Sequence, residues 1–204
     1  MKQIAKGAEA ELLEFEFEGK AAILKRRVPK KYRLEQLDKK LRETRTKKEA
    51  KVLFAAKMAG IRCPLIYNIN LKKSEIVLEK LEGIQLRELL SSKSQKINSA
   101  LISAGKNLGK LHFENICHGD LTTANILHLK NGEIAIIDFG ISDFSSSLED
   151  KATDLLVFKK STNENQFDIF LQGYAEGNKT ANQVIRQLAE IEKRGRYVTR
   201  AQAA

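Results

Sequence analysis

The sequence predicts an α+β fold in two unequal parts, a small antiparallel sheet followed by a reduced, mostly helical portion. Three observations lead there. Leu13, Phe15 and Phe17 alternate with Glu14, Glu16 and Glu18, the period of two of a half-buried strand. Apolar runs at Ile126–Leu129 and Glu133–Ile137 flank Asn131-Gly132, a strong short hairpin signal. Leu101, Gly105, Leu108 and Leu111 recur at helical spacing within a predicted helix.

Composition narrows the class. A chain of 204 residues can bury a real core but is short for two full lobes. Met1 to Ala10 holds charges and no apolar run, unlike a secretory signal. No apolar segment approaches the ~20 residues that span a bilayer, so no membrane association is expected. Cys63 and Cys117 make no disulfide framework, which fits a cytoplasmic chain. The histidines lack zinc spacing. A net charge of +10 and a pI near 9.5 favour an acidic partner, nucleic acid first.

Taken in order, residues 2–27 read as strands. Lys6-Gly7-Ala8-Glu9-Ala10 lies where a loop would cover phosphates, making Gly7, Ala8 and Glu9 nucleotide-site candidates; one glycine falls short of G-x-G-x-x-G. Lys25 ends an apolar strand, as the phosphate-pairing lysine does in V-A-I-K, although Arg26 and Arg27 stand close by. Ile23 takes the place of the small alanine in that motif. A basic loop over 26–33 leads to a long helix from about Leu34 to Ala59. Its apolar set is Leu34, Leu37, Leu41, Val52, Leu53 and Ala56, and Gly60 stops it. Lys39, Lys40, Arg42, Arg45, Lys47 and Lys48 form a basic surface that reads either as solvated or as an RNA or acidic-protein contact. Glu49, with Glu43 as the alternative, is the candidate partner that holds Lys25.

Strands are expected at Cys63–Tyr67 and Glu75–Leu78. A hinge over 81–83 then divides an N-lobe (1–80) from a C-lobe (84–193), and backbone groups of Glu79 and Leu81 would meet an adenine edge. Helices are expected over 85–92 and 96–115.

The chemistry concentrates in His118-Gly119-Asp120-Leu121-Thr122-Thr123-Ala124-Asn125 and Asp138-Phe139-Gly140. The pattern H-x-D-L-x-x-x-N followed by D-F-G is the protein-kinase catalytic signature, and the hairpin brings both halves to one end. Asp120 would orient the attacking hydroxyl and accept its proton; Asn125 and Asp138 would hold Mg²⁺, a hard cation suited to oxygen donors. His118 reads as structural, His112 as a helix-end residue and His128 as a strand-surface one. The fold expectation sharpens accordingly to a minimal bilobal protein-kinase-like fold without a full activation segment. After Gly140 there is no A-P-E, and a helix starts near Asp150. Asp154 either ties that helix to the catalytic loop or serves as a first-turn carboxylate. Further helices are expected near 162–176 and 180–194, then a mobile basic tail over 194–204.

These residues resemble a particular family, the small atypical kinase subunit of the KEOPS complex. The resemblance runs through Gly7-Ala8-Glu9-Ala10, Lys25 with Pro29-Lys30-Lys31-Tyr32-Arg33, Glu49-Ala50, Gly60-Ile61, His118 to Thr123, Asp138 to Ser142, Asp154-Leu155 and Arg194-Gly195-Arg196. Ala124, where serine is expected, departs from it. The resemblance implies an ATP- and Mg²⁺-binding serine/threonine kinase or ATPase that supports threonylcarbamoylation of adenosine 37 in tRNA. It also implies partners: the threonylcarbamoyl-transferase subunit against the C-lobe, a small regulatory subunit against the N-lobe, and tRNA at the basic surface and tail. The alternatives are an aminoglycoside-type small-molecule phosphotransferase, a pseudokinase acting as an RNA-binding scaffold, and a free-standing protein kinase.

Overall fold

The computed structural model describes residues 1–6 and 9–202. Five strands form an antiparallel sheet in the order β1-β2-β3-β5-β4, with β1 at Lys2–Lys6, β2 at Ala10–Phe17, β3 at Lys20–Arg27, β4 at Ile66–Asn70 and β5 at Glu75–Glu79. Glu18 and Gly19 turn β2 into β3 with φ of 50° and 76°, the left-handed pair a tight hairpin requires. The register sets Leu13 opposite Leu24 and Phe15 opposite Ala22, which puts the apolar alternation on one face. There Leu13, Phe15, Phe17 and Tyr67 pack on Ala22, Leu24 and Val77. The other face carries Leu12 opposite Lys25 and looks into the cleft. β4 starts at Ile66 instead of Cys63, because Pro64 has no N–H for a ladder and Cys63 is buried with its thiol on the Leu53 carbonyl.

Helix α1, Glu35–Met58, connects β3 to β4. Its second half behaves as the apolar pattern requires, since Val52, Leu53 and Ala56 join the main core with Ile61 and Cys63. Its first half does not: Leu34 and Leu37, expected inside, are 79% and 52% exposed. That half is seated by the buried carboxylate of Asp38, which accepts from Arg42 Nε at 2.7 Å and from the Lys30 amide at 3.3 Å. Hydrogen-bonded charge, invisible to an apolar count, replaces hydrophobic packing there.

The C-lobe begins with β6 (Gly83–Gln85) and α2 (Leu86–Leu90), followed by α3 (Ile97–Phe113). β6 pairs with β8 (Ile126–Leu129), which pairs with β9 (Ile134–Ile136), giving the hairpin around Gly132 at φ 89°. β7 (Ile116–Cys117) pairs with β10 (Asp143–Phe144). Three helices close the fold: α4 (Leu148–Lys160), α5 (Glu164–Gly177) and α6 (Ala181–Gln202). Ser147 caps α4 and Asn163 closes a capping box on α5. α3 and α5 cross backbone to backbone: a Cβ on Gly105 would lie 2.0 Å from the Phe170 carbonyl oxygen, and one on Gly173 would lie 1.9 Å from that of Ile102. Side chains of both helices, among them the fully buried Phe170 and Tyr174, fill the main core together with Phe158 of α4. The segment expected as a mobile tail continues α6 as helical backbone to Gln202. Among the described residues, no helix is long and apolar enough to cross a membrane.

Candidate active site between the lobes

Between the sheet and the catalytic hairpin lies a cavity of about 300 Å³, lined by Leu12, Ile23 and Lys25 above and by Asn125, Leu127 and Asp138 below. Glu79 and Leu81 border it where the chain passes from β5 to β6. A second space of about 340 Å³ adjoins it, bounded by Lys25, Arg27, Asp120, Asp138 and Gly140.

Charge organises the upper wall. Lys25 Nζ donates to Glu49 Oε1 and to Asp138 Oδ1, both at 2.6 Å. Glu49, not Glu43, is therefore the helix carboxylate that meets Lys25, and it is buried. Burial alone would drive the Lys25 ammonium to lose its proton, but the Glu49 and Asp138 carboxylates reverse this and hold its pKa above the ordinary lysine value. Burial likewise works against the Asp138 carboxylate, and Lys25 outweighs it, so Asp138 ionises below the usual range.

The lower wall rests on hydrogen bonds. His118 is fully buried against Phe139, with ring centroids 5.0 Å apart. Its Nε2–H donates to the Ile137 carbonyl at 3.0 Å, and its Nδ1 accepts from the Asp120 amide at 3.3 Å. The imidazole is spent on holding the loop, in keeping with the structural reading. Asp154 on α4 accepts from the amides of His118 at 2.6 Å and Gly119 at 2.7 Å, so the helix is tied to the loop. His112 is at the end of α3, as expected, yet it is wholly buried and joins this network. Its Nε2 meets Asp154 at 3.1 Å and its Nδ1 meets the Tyr174 hydroxyl at 2.9 Å, while Asn178 donates to that hydroxyl at 3.0 Å. The end of α3 lies beneath the catalytic loop, a position that helical periodicity alone does not convey.

Asp120 is exposed at the cleft floor. Asn125 donates its amide to the Asp120 carbonyl at 2.8 Å and carboxylate at 3.3 Å, which leaves its own oxygen uncommitted. Asp138 has φ 62°, a left-handed conformation costly for a residue with a side chain. Its Oδ1 is used by Lys25 and by the Gly140 amide at 3.3 Å, so Oδ2 is open. Two oxygens on one wall that are uncommitted among the described residues make a donor set suited to a divalent cation that also carries phosphates.

Not every candidate points at the cavity. Gly7 and Ala8 lie outside the described residues. Glu9 borders the second space, with its carboxylate against Arg45 Nη1 at 2.5 Å and Arg27 Nη1 at 3.7 Å. Glu79 spends its side chain on Arg62, at 2.8 and 2.6 Å, and on the Leu65 amide at 3.1 Å, and its own amide donates to the Leu65 carbonyl at 2.8 Å. Sequence reading missed Arg27, which is buried with Nη2 on Glu49 Oε2 at 2.6 Å. The signal was present: a period of two puts Arg27 on the same strand face as Lys25.

Comparison with known proteins agrees with this geometry. A family profile described as the RIO domain matches residues 12–156. The KEOPS complex subunit Bud32 of Pyrococcus abyssi is 36% identical over 218 residues, covering 98% of both chains. The EKC/KEOPS complex subunit Tp53rkb of Mus musculus is 33% identical over 212 residues, 96% of this chain and 87% of that one. A probable bifunctional tRNA threonylcarbamoyladenosine biosynthesis protein of Methanosphaera stadtmanae is 45% identical over 200 residues, 95% of this chain; the chain spans only 36% of that relative's length. The chain belongs to the RIO-domain family of atypical kinases, alongside the Bud32 subunits of KEOPS complexes.

Proposed function

We propose that this chain is an ATP- and Mg²⁺-dependent atypical serine/threonine kinase or ATPase that supports tRNA threonylcarbamoyladenosine formation as a KEOPS subunit. The observation that carries the proposal is the facing of the Lys25–Glu49 pair by Asn125 and Asp138 across one cavity, with Asp120 bordering the adjoining space that Lys25 and Asp138 also line. When bound, Mg²⁺-ATP supplies the transferable phosphoryl group. Asn125 and Asp138 offer the oxygens that would hold the cation, and the donor set described above fits it. Lys25 neutralises phosphate charge. Asp120 orients the attacking hydroxyl or water and accepts its proton at a carboxylate oxygen. Catalysis of this kind is positioning plus charge neutralisation, so few other groups are required. Ile23, in the cavity wall, and the backbone of Glu79 and Leu81 would frame the base.

The names of the relatives support the assembly. We place the threonylcarbamoyl-transferase subunit against the C-lobe and a small regulatory subunit against the N-lobe, with tRNA at the basic surface of α1 and the C-terminal segment. Among the described residues both cysteines are free and buried, which suits a cytoplasmic setting. The test is ATP turnover by the purified chain, alone and with those subunits and tRNA, beside Asp138→Ala. Turnover that rises with partners and is abolished by the substitution supports the proposal. Turnover indifferent to partners argues for a stand-alone kinase, and none under any condition for a scaffold.

A further inference from the structure

Arg27 is 4% exposed at the end of β3, and its Nη2 reaches two elements at once. It meets Glu49 Oε2 of α1 at 2.6 Å and the Gly140 carbonyl at 3.0 Å. We infer that Arg27 is a positioning residue that clamps α1 to the D-F-G glycine and thereby does the work of the activation segment this chain lacks. The inference rests on the kinase reading proposed above.

In ordinary protein kinases the lysine–glutamate pair and the D-F-G aspartate must be in place together, and the activation segment controls whether they are. Here only Ile141–Ser147 separate Gly140 from α4. Besides the Lys25 bridge from Glu49 to Asp138, two links among the described residues run from α1 to Gly140 and the segment after it. Lys48 Nζ to Asp143 Oδ2, at 2.5 Å, is an exposed pair open to screening. The Arg27 bridge is buried and bonded to a charge on one side and a carbonyl on the other, so it is the stronger constraint. It also completes the charge pattern. Each Glu49 oxygen has its own cation, Lys25 on Oε1 and Arg27 on Oε2, so Lys25 can share its ammonium with Asp138 without leaving Glu49 unpaired. Gly140 lies against both cations, since a Cβ there would come 2.8 Å from Lys25 Nζ and 3.7 Å from Arg27 Nη2. A lysine at position 27 would supply the charge but neither the rigid plane that aims Nη2 at its two acceptors nor the second nitrogen, Nη1, which lies 3.7 Å from Glu9 Oε2.

The experiment compares wild type with Arg27→Lys and Arg27→Met in the full chain. It reads ATP affinity by calorimetry, ATP turnover, and amide hydrogen exchange at Gly140 and Ser142 in nucleotide-free protein. Expected for Arg27→Lys is affinity within about threefold of wild type, turnover about tenfold lower, and exchange about tenfold faster. Wild-type turnover and exchange in Arg27→Lys would overturn the clamp and leave Arg27 a simple counter-charge. Affinity and turnover falling in parallel, with exchange unchanged, would also overturn it, in favour of a phosphate-binding role. If Arg27→Met does not fold, Arg27→Lys decides alone. Absence of nucleotide binding in wild type would sink the kinase reading instead, and the exchange comparison would still judge the clamp.

Discussion

The upper wall of the cleft is held by ions: Lys25, Arg27 and Glu49 interlock and Lys25 reaches down to Asp138, while the sheet behind them has a small apolar cluster of Ala22, Leu24 and Val77. Across the cavity, the lower wall stands on the main core, where His112, His118, Asp154 and Tyr174 are fully or almost fully buried and hydrogen-bonded to one another or to backbone. The contrast teaches where adaptability resides. Ion pairs can exchange a carboxylate for a phosphate, whereas a packed loop cannot rearrange without opening the core. Under the proposed function, the first wall would receive phosphate charge and the second would hold Asp120 in place.

Breaking the lower wall should cost most stability. Asp154→Ala removes the acceptor of two backbone amides and the partner of His112, and should lower unfolding free energy by about 3–5 kcal/mol in a denaturant titration. In the upper wall Glu49→Gln should cost less stability, about 2–4 kcal/mol, because an amide oxygen still accepts one bond. Its larger effect should be on ATP turnover, about a hundredfold lower, since both cations lose their shared anchor. If Glu49→Gln destabilised more than Asp154→Ala, the assignment of stiffness to the lower wall would be wrong.

Acid should separate the walls as well. Burial, against the opposing pull of Asp154, holds His112 and His118 below the free-imidazole value of 6.5. The unfolded chain takes up protons there that the fold refuses, so stability is full above pH 6.5 and declines as pH falls below it. The Asp138 pKa is depressed below 3.8, so its link to Lys25 is complete above that pH and is lost only as pH falls further. Melting temperatures from pH 7.5 down to 4, with His118→Asn as comparison, should show a decline that the substitution reduces. A flat profile would remove the histidines from the account. The smallest effect belongs to Lys130→Ala, which breaks an exposed pair with Glu82, neither residue lining the two spaces of the cleft. Its unfolding midpoint should match wild type within error.

The kinase signature was legible because its spacing carries its chemistry: Asp120, Asn125 and Asp138 must sit on one hairpin end, and Asn131-Gly132 announces that hairpin. Lys25 was legible as the end of an apolar strand, and Glu49 as a carboxylate at the apolar end of a helix. Leu34 and Leu37 misled, because a periodic apolar set does not say which half of a long helix faces a core and which is seated by a buried aspartate. Arg27 and His112 were passed over for a related reason. A cation beside a lysine and a histidine ending a helix are common on surfaces, and only their surroundings mark them as buried.

By itself the sequence determined what is local: strand period, hairpin turn, the glycine stop of a helix and a motif whose members lie within about twenty residues of one another, where backbone geometry links spacing to direction. Tertiary structure alone decided what spans the chain. The meeting of Lys25 with Asp138, of Arg27 with Glu49 and Gly140, and of Asp154 with His118 depends on how two lobes close on each other. No periodicity encodes that closure, because it is fixed by core packing and by which buried charges find partners.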